Sequence, residues 1–190
     1  GRVHQRRVVD DVLVDLGDAV LMNHQAVGYC AGAHLRRRGR RRIGVVMPEE
    51  PGLDTYARPR LAGVRQALHG TDATVTELPL AYTEEAAAEL AARWPESGLD
   101  AVFTYNDEYA MLLMRALQDD GIRIPEDVAV VGADDLMLGR LLRPRLSTVH
   151  IELPSARGLA ELVDRAVRDP GGEPGTHTVL GASVVRRESS

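Results

Sequence analysis

The chain is predicted to be an α/β protein built on a doubly wound parallel sheet. Three observations predict it: short apolar runs rich in Val and Ile, longer helix-patterned segments between them, and strict alternation of the two across the middle of the 190 residues. Continuous apolar runs suit strands covered on both faces. Alternation of strand and helix requires right-handed crossovers and therefore parallel strands.

The elements follow in order. Val8-Val9 and Val12-Leu13-Val14 read as a buried strand, and Gln25 to Arg38 as a helix that Gly39 stops. Ile43 to Met47 is a strand ended by Pro48, and Pro59 to Leu68 a helix closed near Gly70. Thr74 to Leu78 is a strand, and Glu84 to Trp94 an alanine-rich helix stopped by Pro95. Ala101 to Thr104 is a strand, Asp107 to Leu117 a helix, and Val128 to Val131 a strand. Leu146 to Ile151, Ala156 to Val167 and Ala182 to Val185 complete the order as strand, helix and strand.

In open α/β sheets, ligands bind beyond the carboxyl ends of the strands. The segments there are Met47 onward, Leu80-Ala81-Tyr82, Tyr105-Asn106-Asp107 and Gly132-Ala133-Asp134-Asp135. Asp107 opens a helix and reads as its N-cap. Asn106 is the better ligand, because its amide both donates and accepts. One carboxylate of Asp134-Asp135 can face a crevice, where its oxygens accept from two adjacent hydroxyls, while the other caps a turn. Adjacent residues point to different sides, which disfavours a catalytic pair. Arg60 is either a solvated surface cation or a donor to the cleft, and Tyr82 and Tyr56 either cover the core edge or stack on a ligand.

Composition excludes several classes. Net charge is −5 and every side-chain cation other than histidine is Arg, an acidic balance that argues against direct binding of nucleic acid. The arginine run 36–42 fits the negative end of a helix dipole. Cys30 stands alone, so neither an internal disulfide nor a thiolate cluster is possible, and the six histidines show no i, i+4 pairing. No metal or cofactor is expected. Ser183 lacks the second glycine of a nucleophile elbow, and there is neither a phosphate loop nor a strand followed by G-x-G-x-x-G. No apolar run is long enough for a bilayer span or a signal peptide, so a cytoplasmic protein without membrane contact is expected.

Several pieces in sequence resemble the LacI/GalR repressor family. Ala33-His34-Leu35 with Gly39 to Gly44 is similar to its helix-to-strand signature, with Arg40 replacing the usual His. Arg60-Leu61-Ala62-Gly63-Val64 resembles its Arg-x-x-Gly-Phe helix, and Ala101 to Asp107 its strand-Asn-Asp-helix segment. The most specific stretch is Gly121 to Asp135, where Ala133 replaces an aromatic. Pro144 to Val149 and Val184 to Ser189 match two further family strands.

That resemblance implies a periplasmic-binding-protein-like type I sensor of two lobes with a small sugar-like effector between them. Residues 25–149 and 177–190 would form a nearly complete C-terminal lobe, and residues 1–24 and 150–176 a remnant of the N-terminal lobe. Carried over by position, Arg60, Asn106 and Asp134 are expected effector ligands, joined by Tyr82, Tyr56 and Asp15. A homodimer is implied, with Tyr109, Leu112, Leu113, Leu138, Leu141 and Leu142 at its interface. Operator DNA would be met only through a head missing from this chain. The alternatives are a transport-associated periplasmic sugar-binding protein and, without a supporting motif, an enzyme on a similar sheet.

Overall fold

The computed structural model describes residues 20–21, 23–152, 178–179 and 181–190, and residues 157, 160, 164 and 168 singly. The expected strand at 8–14, Asp15 and most of the expected helix 156–167 lie outside the described residues. The chain divides into two compact units, Gly1–Asn23 with Glu152–Gly181 and His24–Ile151 with Ala182–Ser190. In the first unit, β1 (Val20–Leu21) pairs in parallel with β7 (Thr178–Val179). That pairing places residues 177–181 with the first unit, whereas the sequence had them in the larger one.

The second unit runs α1 (His24–Arg37), β2 (Arg42–Pro48), α2 (Asp54–Leu68), β3 (Thr74–Leu80), α3 (Glu84–Ala92), α4 (Trp94–Ser97), β4 (Ala101–Phe103), α5 (Asp107–Asp119) and β5 (Ala129–Ala133). A single 3₁₀ turn (Met137–Arg140), β6 (Ser147–Ile151) and β8 (Ala182–Val185) complete it. Its six-stranded sheet has the order β3-β2-β4-β5-β6-β8. All neighbours are parallel except β8, which runs antiparallel to β6 at the edge. The sheet expected from the sequence is thus present with one reversed edge strand, a common addition to doubly wound sheets.

The strands are buried because both faces are covered. Helices α1 and α2 pack together on one side, and α3 packs on α5 with the core of Val46, Val102, Val130, Leu113 and Leu117 on the other. The crossing of α1 and α2 is unusually close. A Cβ on Gly28 would lie 1.7 Å from the carbonyl oxygen of Arg60, and one on Gly63 would lie 2.0 Å from that of Gln25. Only residues without side chains let the two backbones touch here.

Three boundaries differ from the sequence reading. Helix α2 starts at Asp54, so Pro59 lies inside it and not at its first turn. The added turn holds because Ala57 is buried and the Tyr56 and Ala57 amides donate to the Leu53 carbonyl. Pro95 does not stop α3; it sits in the first turn of α4, where a missing amide hydrogen costs nothing. Asn106, and not Asp107, caps α5, its side-chain oxygen accepting from the Tyr109 amide at 3.0 Å. Asp107 is instead fully buried.

Candidate functional site

Strand β2 sits between β3 and β4, so the chain turns one way after β2 and the other way later. The crevice at such a switch point lies past the strand ends. Here those ends carry Glu50, Tyr105 and Asn106. Arg60 reaches the same place from α2. Its side chain is 5% exposed, and its guanidinium is engaged from several directions. Nε donates to His24 Nδ1 at 3.2 Å, one terminal nitrogen donates to the Tyr105 carbonyl, and the other lies 3.8 Å from Asp134 Oδ1. The guanidinium carbon stands 4.8 Å from the Tyr105 ring centroid, close enough for a cation–π contact. A buried cation with this many partners is fixed in orientation before any ligand arrives.

An aromatic wall continues from it. Tyr105 meets Tyr109 edge-on at 5.7 Å between centroids, Tyr109 meets Tyr82 at 5.0 Å, and Tyr56 meets His24 at 5.1 Å. Tyr82 is half exposed, so one ring face is available. Glu50 braces this wall: Oε1 accepts from the Tyr82 amide at 2.5 Å and Oε2 accepts from the Tyr109 hydroxyl. Burial alone would raise the Glu50 carboxyl, but the Tyr109 and Tyr82 hydrogen bonds outweigh it and hold it below the usual range. Burial, together with that same carboxylate, pushes the Tyr109 phenol up.

The remaining side is the loop after β5. Asp134 and Asp135 both have positive φ, 97° and 51°. Few residues other than Gly tolerate that region, and short polar side chains such as Asp are among them. The loop is pinned from below by Asp107. Its Oδ2 accepts from the Leu136 amide at 2.7 Å and its Oδ1 accepts from the Thr148 hydroxyl at 2.6 Å. Gly132 leaves the space for that carboxylate, since a Cβ there would lie 2.1 Å from Asp107 Oδ1. Burial raises the Asp107 carboxyl to about 6, against the lowering effect of its two hydrogen bonds. Asp135 turns to Arg187, with Arg140 at 3.2 Å and His150 at 3.5 Å. Its carboxyl is lowered, because the Arg187 hydrogen bond and the neighbouring cations outweigh burial.

Arg60 and Asp134 therefore converge, while Tyr82 and Tyr56 stand at two parts of the ring system. Asn106 adjoins them, yet part of its amide is used locally: Oδ1 caps α5 and Nδ2 lies 3.4 Å from Glu108. One N–H and one lone pair remain. Asp15 lies outside the described residues. The sequence reading placed Tyr105 in a strand-end segment without giving it a role, and singled out neither His24 nor Glu50. Tyr109 and Leu113, expected at a dimer interface, are corrected by their burial: they are 4% and 0% exposed and belong to the core of their own unit. Leu138 and Leu141 are 54% and 66% exposed, and Leu112 and Leu142 are half-buried against the core cluster. Among the described residues no group of three His, Cys, Asp or Glu side chains could hold a metal, and no helix is long and apolar enough to cross a membrane.

Known proteins resemble the chain in sequence and in fold. A family model described as a periplasmic binding protein-like domain matches residues 33–190. The HTH-type transcriptional repressor PurR of Vibrio atlanticus is 33% identical over 155 residues, which are 75% of this chain and 45% of that protein. The chain spans about half the length of the curated relatives it matches. A putative LacI-family regulator from Sanguibacter keddieii superposes with a TM-score of 0.76 at 31% identity, covering 95% of this chain and 72% of that one. A LacI-family regulator from Enterococcus faecium with bound ribose gives a TM-score of 0.76 at 28% identity, covering 91% and 65%.

Proposed function

Since the chain belongs to the periplasmic binding protein-like domain family, in the form carried by LacI/GalR-type regulators, we propose that it senses a small polyhydroxylated effector for a transcriptional repressor. The observation that carries this reading is the buried Arg60 guanidinium, oriented by His24 and Tyr105 and facing Asp134 at the end of a parallel strand. Asp134 is a third exposed and accepts from ligand hydroxyls, Arg60 donates to a ligand oxygen, and the free face of Tyr82 stacks on the apolar face of a sugar ring. The ribose held by the Enterococcus faecium relative supports this ligand class. Tyr56, Asn106 and Asp15 are the outer ligands in this reading.

The effector acts by binding one arrangement of the regulator more tightly than another, and it shifts the balance only by that difference. Operator DNA is met by other parts of the full regulator, which works in the cytoplasm without catalysing a reaction. Two copies pair through apolar side chains that include the exposed Leu138 and Leu141 and the half-buried Leu112 and Leu142. The transport-protein alternative is disfavoured, because the curated relatives are transcriptional regulators. The deciding experiment is a thermal-shift screen of sugars, polyols and nucleosides on the protein, followed by calorimetry of the best ligand with Asp134→Ala. A tenfold or greater loss of affinity is expected, and unchanged affinity would sink the assignment.

A further inference from the structure

Asp135 anchors a second cluster of cations that the effector face does not use. Arg140 from the 3₁₀ turn, Arg145 before β6, and Arg186, Arg187 and Glu188 after β8 line a pocket of about 480 Å³. Arg187 forms its floor, 12% exposed, donating to the Leu146 carbonyl at 2.7 Å and paired with Asp135. Arg145 is held by Glu188 at 2.8 Å. Arg140 is 57% exposed and makes one contact to Asp135, at 3.2 Å. Arg186 is exposed and has no hydrogen-bond or ion-pair partner among the described residues.

Four guanidiniums thus meet two carboxylates, in a chain whose net charge is −5. Gathering like charges around one concavity costs Coulomb energy that an anion removes. Guanidinium forks donate paired N–H bonds that match phosphate oxygens, so several arginines select phosphate over a point-like halide. The volume falls within the range of about 300–1,000 Å³ typical of small-molecule sites and exceeds what a bare phosphate fills. The cations line one hollow whose volume suits a compact anion. We propose that this pocket is a second ligand site, separate from the Arg60 face, that takes a small phosphomonoester.

The test is calorimetric titration of the whole chain with inorganic phosphate and with glycerol 3-phosphate, at ionic strength held constant with sodium chloride. Saturable one-to-one binding is expected, with glycerol 3-phosphate at least as tight as phosphate. Arg186→Ala and Arg140→Ala, both at exposed side chains, should each weaken it roughly tenfold, the loss of one charge-assisted hydrogen bond. Asp134→Ala should leave it unchanged. Were phosphate instead bound beside Arg60, removing that carboxylate would tighten it, and this result would overturn the proposal. So would the absence of saturable binding, or equal affinity in Arg186→Ala, Arg140→Ala and the parent protein.

Discussion

Asp134 and Asp135 are neighbours with the same side chain and the same left-handed backbone region, yet they do opposite work. Asp135 is 10% exposed and is spent on two guanidiniums and the His150 imidazole of its own unit. Asp134 is 34% exposed, with the Arg60 guanidinium 3.8 Å from its Oδ1. The difference teaches how a loop can be both rigid and receptive: one carboxylate ties it down so that the next is held out. Asp107 completes the anchoring by fixing the Leu136 amide on the far end of the same loop.

The largest effect should come from cutting the anchor. Asp135→Ala leaves Arg187 mostly buried without its carboxylate, and should cost about 3 kcal/mol of stability in urea denaturation. A loss below 1 kcal/mol would mean that the two aspartates are equivalent after all.

Next comes Asp107, through its pH dependence. Its ordinary value of 3.8 is raised to about 6 in the fold, so between those limits the native state binds more protons than the unfolded chain. Stability contributed by this group is therefore present at low pH and declines as pH rises from about 4 to 6, by an amount on the order of 2–3 kcal/mol. Asp107→Asn should remove that decline, and the difference between the two proteins' stability curves isolates it from other carboxylates. Parallel curves would show that Asp107 does not titrate in this window.

Asp134→Ala should do the reverse of Asp135→Ala. Stability stays within about 0.5 kcal/mol, while effector affinity falls by about 1.5–3 kcal/mol, tenfold or more. The two measurements on one variant separate holding a ligand from holding the loop. The smallest effect belongs to His150, the most distant of the three side chains paired with Asp135, at 3.5 Å, and 46% exposed. His150→Ala should cost less than about 1 kcal/mol, and a larger loss would relocate the anchor from Arg187 to the rim.

The strands were legible because burial on both faces leaves an unbroken apolar signature, as in Ile43 to Met47 and Ala101 to Phe103. Arg60 and Asp134 were legible by their place after strands and by the family resemblance. His24 was not, because it is 36 residues from Arg60 and nothing periodic links the start of α1 to the middle of α2. The roles of Glu50 and Tyr105 were hidden for the same reason: they are contacts with Tyr109 and Arg60, on helices distant in sequence. Asn106 and Asp107 exchanged roles because both residue types cap helices, and only tertiary burial decides which side chain turns inward. Along α5 the apolar pattern marks several inward candidates. Packing alone assigns Tyr109 and Leu113 to the chain's own core and leaves Leu112 at its margin.

The contact between Gly28 and the backbone of Arg60 fixes more than helix spacing. It sets where the Arg60 side chain begins, by main-chain atoms that no change of neighbouring side chain can trim or pad. The guanidinium therefore starts from a fixed post in the main chain. Variation around it is left to the rings of Tyr56 and Tyr82, which pack on His24 and Tyr109, while Tyr105 helps to hold the cation.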